Sequence, residues 1–327
     1  MAPTLEPKPT DDEAHYAEHD KLGPLGSRMS ALYDPVALRK ALLGEFHAAV
    51  GKAKAAAALT DDSVTTAVHE SRKALRRARA ILSMMSAALP KSEYRAVRRA
   101  IQEARRTLSI SRDHAVAPET FAALALSEED RVTATRVLEN AAGALPPTAE
   151  IKQLVTDAAT RVAAQGDGLE AALPQYLSWS EVVSGLETVY GDARKARDKA
   201  KKSTSWFHSW RRRSKELVYQ LELVSEHAGQ RLGAIRDELS AVVETLSPAV
   251  DLIMLREFVT TYAQGVPGES IDHLEATIEH HLEDLMKSTR SAGRDAFEAK
   301  PKRFGKRLVK SAKRDLTPPD DSDLDLD

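Results

Sequence analysis

The sequence predicts an all-α fold: two four-helix-type bundles related by an internal repeat, with long helices around a central basic groove. Three observations point there. Ala, Leu, Arg and Glu are abundant while aromatics make up only 5% of 327 residues, and such side chains lose little rotamer freedom on a helix. Apolar residues recur at helical spacings with little Gly or Pro punctuation. The length exceeds one ordinary core, and related stretches recur 138–139 residues apart.

The elements follow in order. Residues 1–32 mix Pro, Gly, Asp and His without apolar periodicity and read as a disordered arm, so the folded part begins near Tyr33. TDDS at 60–63 is a helix-start signal. Val68, Leu75, Leu82, Met85 and Leu89 form the apolar face of the helix behind it, which ends at LPKS. A second helix from Ser92 turns Tyr94, Val97, Ile101, Ala104 and Leu108 inward, then breaks at SRDHAVAP, and GALPPTAE is a polar loop. Further helices are read from LETVYGDARKARDKAKK, WFHSWRRRSKELVYQLELVSEHAG, LGAIRDELSAVVETLSPAVDLIMLREFV and SIDHLEATIEHHLEDLMKSTRSAGRDAF, roughly eight to ten in all. The first bundle is set at 33–165 and the second at 166–314; residues 315–327, with six acids and no base, read as an acidic disordered tail.

The net charge of −2 hides large local charges of both signs. Residues 69–112 carry a net +9 and 194–215 another +9, and 300–314 hold eight basic residues and no acid. Residues 113–193 carry −9 and 216–299 carry −10. Basic segments that meet in space would focus a positive field inside an otherwise acidic surface.

VHESRKALRRARAILSMM aligns with FHSWRRRSKELVYQLELV at an offset of 139, pairing His69 with His208, Arg72 with Arg211, Lys73 with Arg212 and Arg76 with Lys215. TLSISRDHAV aligns with TLSPAVDLIM at 138, pairing Ser109 with Ser247 and Asp113 with Asp251. At about 100° per residue, His69, Arg72, Arg76 and Arg79 share one stripe at the border of the apolar face, with Lys73 further out. His208, Arg211 and Lys215 form the equivalent stripe, with Arg212 outward. Arg98, Arg105 and Arg112 line a third helix, and Tyr190, Arg194, Arg197 and Lys201 a fourth. Like charges at these spacings repel, so the stripes call for an anionic ligand.

These segments resemble the CHAD family, α-helical proteins named for their histidines and built from two four-helix bundles. The resemblance runs from about Pro35 to Arg314. It rests on VHESRKALRRARA, LSISRD, FHSWRRRSKELVYQLEL preceded by YGDARKARDKAKK, and AKPKRFGKRL, in the family's order. It implies binding of inorganic polyphosphate in a basic groove or pore, association with polyphosphate or other storage granules, and no catalysis by the module itself. Some relatives are fused to a CYTH triphosphatase domain, but the ExExK motif of that domain is absent and the chain reads as stand-alone. Where the family carries Gly in its LG-x-x-RD turn, this chain has Ser109 and Ser247, with Pro248 and Val250 at the second site, which predicts a weaker second-half site.

Charge physics supports the same ligand. Rows of guanidinium and ammonium groups suit a chain with roughly one charge per phosphate, and no base-stacking platform is needed. Tyr219 and Tyr190 could donate hydroxyl hydrogen bonds, while Trp206, Phe207 and Trp210 are expected to seat their helix in the core. Nucleic acid is therefore a secondary ligand. His69 and His208 are expected neutral when free and protonated beside a bound phosphate. Lys302, Arg303 and Lys306, in KPKRFGKRLVKSAKR, read as a further polyanion contact or as a polybasic surface for acidic lipid, and the acidic tail could fold back onto them as a competing anion. His273, His280 and His281 are read as ordinary helix residues, with no metal or cofactor expected. No phosphate loop, HExxH or nucleophile elbow is present, so no catalysis is expected. Without cysteine or a run of about 18 apolar residues, the protein is expected to be soluble and cytoplasmic, associated with granules or a protein partner.

Overall fold

The computed structural model describes residues 34–58, 64–200, 203–228 and 230–316. The expected arm at 1–32, the TDDS signal, Lys201 and the acidic segment after Leu316 lie outside them. Every regular element among the described residues is helical: α1 (Pro35–Ala55), α2 (Val64–Met84), α3 (Lys91–Thr107), α4 (Ser109–Ala122), α5 (Glu128–Ala142) and α6 (Thr148–Gly166). A single turn, α7 (Leu169–Ala172), precedes α8 (Trp179–Lys199), α9 (Ser205–Ala228), α10 (Gln230–Thr261), α11 (Gly268–Ala296) and α12 (Pro301–Leu316).

Local chemistry sets the helix starts. Asp34 Oδ1 accepts from the amides of Val36 and Ala37 at 2.9 and 3.1 Å, with Pro35 preset for the first turn. Ser178 and Glu181 close a reciprocal capping box at the head of α8. The SRDHAVAP stretch corrects the sequence reading, because it is helical within α4, with Pro118 inside. The interruption is a single residue, Leu108, at φ −90° and ψ 12°. Burial of Ala117 and Phe121 outweighs the weak helix propensity of Ser, Asp and Pro in that stretch. The corresponding run in α10 passes through Pro248 without interruption.

Helices α1, α2, α3 and α6 pack on one another, as do α8, α9, α10 and α12, and the two sets meet where α2 crosses α8 and α9. Helix α4 lies on α10, and α11 joins α10 to α5. The expected apolar positions Val68, Leu75, Leu82, Val97, Ile101 and Leu108 are all buried, and so are Phe207 and Trp210. One continuous core runs through both sets. Gly185 lets α8 close onto α2: a Cβ there would stand 2.4 Å from the Ser83 carbonyl oxygen. Asp130 on α5, 2% exposed, pins α11 by accepting from Thr277 and pairing with His273 Nδ1 at 2.8 Å.

Candidate functional site

Where α2, α3, α4, α9 and α10 converge, they enclose a cavity of about 260 Å³ with a mostly basic wall. Helix α2 contributes Arg72, Arg76 and Arg79, whose spacing of three to four puts them on one face beside its buried stripe. By the same periodicity α9 contributes His208, Arg211, Arg212, Lys215 and Tyr219. Arg105 enters from the last turn of α3 and Arg112 from the first turn of α4, on either side of the Leu108 interruption. Val250 and Met254 of α10 form an apolar wall, and Glu216 is the carboxylate in the lining.

Second contacts aim these cations. Arg72 Nη1 donates to the Arg105 carbonyl at 2.8 Å, using an acceptor that the end of α3 leaves without a helical partner. Arg112 donates to Asp251 at 2.9 Å and to Asp113 at 3.1 Å. Arg211 Nε donates to the Ser247 hydroxyl at 3.0 Å, and that hydroxyl donates to the Val243 carbonyl at 2.9 Å. Ser247 thus makes a contact that a glycine could not make. In the lining, Glu216 is held by Arg79, by Arg213 at 2.9 Å and by the Ser83 hydroxyl at 2.5 Å, and Arg213 also reaches Asp192 at 2.8 Å.

The wall of the cavity is electrostatically frustrated. Burial first, then neighbouring guanidinium groups, pull Arg72 and Arg212 down to about 10 and Arg105 to about 9. Lys215 falls to about 8 through burial and the charges of Arg211 and Arg76, and burial lowers His208 as well. Burial opposes the charge of Glu216, but Arg79 and Arg213 keep it below the usual carboxylate range. The Nε–H groups of Arg76, Arg79 and Arg105 are buried without a hydrogen-bond partner. Such a wall can accept a chain of oxyanions.

Several sequence-predicted site residues lie elsewhere. His69 is 65% exposed and faces Glu70 at 4.0 Å, and Lys73 is exposed. Arg98 sits over the Tyr94 ring at 5.8 Å, outside the lining. The α8 stripe serves α11: Tyr190 donates to the carbonyls of Ala296 and Ala299, Arg194 to Phe297, and Arg197 to Gly293 and Arg294. The physical reason is that α11 ends beside α8 with carbonyls lacking helical partners, and cations there also suit its dipole. Lys302, Arg303 and Lys306 project from the exposed face of α12, away from the cavity, with Lys302 3.2 Å from Glu187. Sequence reasoning missed Glu216 in the lining, and Asp251 and Ser247 as the partners that hold Arg112 and Arg211. The pairing of Asp251 and Ser247 with Asp113 and Ser109 was the available signal.

Comparison with known proteins agrees with this arrangement of helices. A family model described as CHAD domain matches residues 41–260. Among solved structures, the crystal structure of the CHAD domain from the plant Ricinus communis matches with a TM-score of 0.59 at 18% identity. That match covers 82% of this chain and 94% of the other, and it shows a common fold. No curated protein matches the sequence.

Proposed function

The chain belongs to the CHAD family, and from that premise we propose that it binds inorganic polyphosphate in the cavity between α2, α3, α4, α9 and α10. One observation carries the reading: Arg72, Arg76, Arg79, Arg105, Arg112, Arg211, Arg212 and Lys215 crowd one cavity. Their mutual repulsion and the unpartnered guanidinium nitrogens are offset when phosphate oxygens enter, and release of the ligand's counterions adds to affinity. Tyr219 supplies a hydroxyl donor, and the lining is dominated by arginine and lysine rather than by the succession of aromatic rings that a base-stacking groove uses, which favours a base-free polyanion. The family's association with polyphosphate binding supports the same choice.

On this reading the protein is a binding module that acts at polyphosphate granules and performs no chemistry. Glu216, the carboxylate in the lining, is engaged by Arg79, Arg213 and Ser83 and so is poorly placed to act as a base. No helix among the described residues is long and apolar enough to cross a membrane.

The test is a titration of the protein with long-chain polyphosphate, single-stranded RNA and double-stranded DNA at near-physiological salt. Polyphosphate should bind most tightly and should resist displacement by excess nucleic acid. Arg76→Ala/Lys215→Ala should weaken binding at least tenfold with the fold intact by circular dichroism, and unchanged affinity in that double variant would sink the assignment. Comparable binding to all three polymers would make the cavity a general polyanion site.

A further inference from the structure

Helix α12 lies beyond the segment matched by the family model, and its basic face takes no part in the cavity. Between α12 and α8 runs a separate groove of about 490 Å³. Val183, Val309 and Gly305 line it, Lys306, Lys310, Lys313 and Arg314 are its exposed cations, and Glu187 is the carboxylate in its wall, paired with Lys302 at 3.2 Å. A Cβ at Gly305 would stand 1.9 Å from Glu187 Oε1, so a side chain there would displace the Glu187 carboxylate from its place between the helices. The groove is therefore a narrow apolar trough with cations along its edge. Long Lys and Arg stems can cover an occupant while their heads meet its charges.

The sequence that follows α12 has the complementary pattern. Residues 317–327 read TPPDDSDLDLD, with five aspartates, no base and two leucines. Pro318 and Pro319 oppose continuation of the helix. Eleven residues reach at most about 36 Å, whereas the groove runs back along α12 only from Arg314 to Gly305, about 14 Å of helix rise. In an extended chain Leu324 and Leu326 share one face and their neighbouring aspartates the other. A tethered segment sees its dock at an effective concentration in the millimolar range, so contacts too weak for a free peptide suffice.

We propose that the α8–α12 groove is the docking site of the chain's own acidic segment 319–327, with Leu324 and Leu326 on Val183 and Val309 and the aspartates against Lys306, Lys310 and Arg314. The segment then neutralises the α12 face, leaving the cavity as the exposed route for an external polyanion. This inference does not depend on what the cavity binds.

The chain has no cysteine, so spin labels can be placed cleanly at Ser322→Cys and at Ser180→Cys on the groove. Pulsed electron–electron distance measurements on the full chain, diluted with unlabelled protein, should give one narrow short-distance band. Leu324→Ser/Leu326→Ser, which leaves every charge in place, should broaden it, and molar salt should do the same. A broad distribution indifferent to both changes overturns the proposal, as does a narrow band that disappears on dilution, which would assign the groove to a second copy. A melting curve unchanged by the two cysteine replacements establishes that the labelled chain is folded.

Discussion

Lys215 is the residue at which stability and binding pull apart. Burial and then Arg211 and Arg76 lower it from its ordinary 10.5 to about 8. The unfolded lysine keeps the ordinary value, so between those two pH values the folded chain holds fewer protons, and its stability declines as pH falls through that window. A bound polyanion works in the opposite direction by raising the lysine's pKa. Polyphosphate affinity should therefore fall as pH rises through about 8, with protons taken up on binding, as calorimetry in buffers of different ionisation enthalpy will show. His208, lowered by burial, extends the same trend to lower pH. Lys215→Met should flatten the upper part of the profile and raise the melting temperature of the free protein by a few degrees; a lower melting temperature would mean that the ammonium is already compensated. The α2 and α9 stripes were legible because helical periodicity places Arg72, Arg76, Arg211 and Lys215 together using local sequence alone. Glu216 was not legible: it follows a basic run on the same helix, and only the crossing of α2 brings Arg79 and Ser83 to it.

At the scale of the element, helices are read well from sequence and their neighbours poorly. The spacing of Tyr190, Arg194 and Arg197 predicted a stripe correctly, but the stripe faces the end of α11, a fact that no local pattern encodes. Gly185 illustrates the same limit. It looks like a blemish within α8, yet it sets the approach of α8 to α2, because a Cβ would meet the backbone oxygens of Ser83 and Met84 at 2.4 and 2.8 Å. Backbone cannot swing aside as a flexible side chain can, so Gly185→Ala should destabilise by about 1–3 kcal/mol. Gly44, exposed on α1 with nothing within 4 Å of its virtual Cβ, provides the contrast. Gly44→Ala should stabilise by up to about 1 kcal/mol through helix propensity alone. Urea unfolding of the two variants measures both signs, and equal effects would remove the close-approach argument.

At the scale of the whole molecule, the near-zero net charge is the sum of a basic cavity, an exposed basic face on α12 and acidic segments elsewhere. The alternation of sign was readable along the chain, but the place where the basic segments meet required the fold, since Arg105, Arg112 and Lys215 come from three helices. The acidic segments repel a bulky duplex, while a positive cavity focuses the field on a thin, flexible polyanion. The location of each cation should then be visible in the salt dependence. Log affinity for polyphosphate should fall linearly with log salt, and removing one contacting cation should reduce the slope by roughly one. Arg105→Ala, inside the cavity, should lower the slope by about that amount. Lys73→Ala removes the same formal charge from an exposed position on α2 and should leave the slope nearly unchanged, because a screened charge outside the cavity displaces few counterions. Equal slope changes in the two variants would mean that the polymer lies along the outer face of α2, and the cavity would then lose its claim to the ligand.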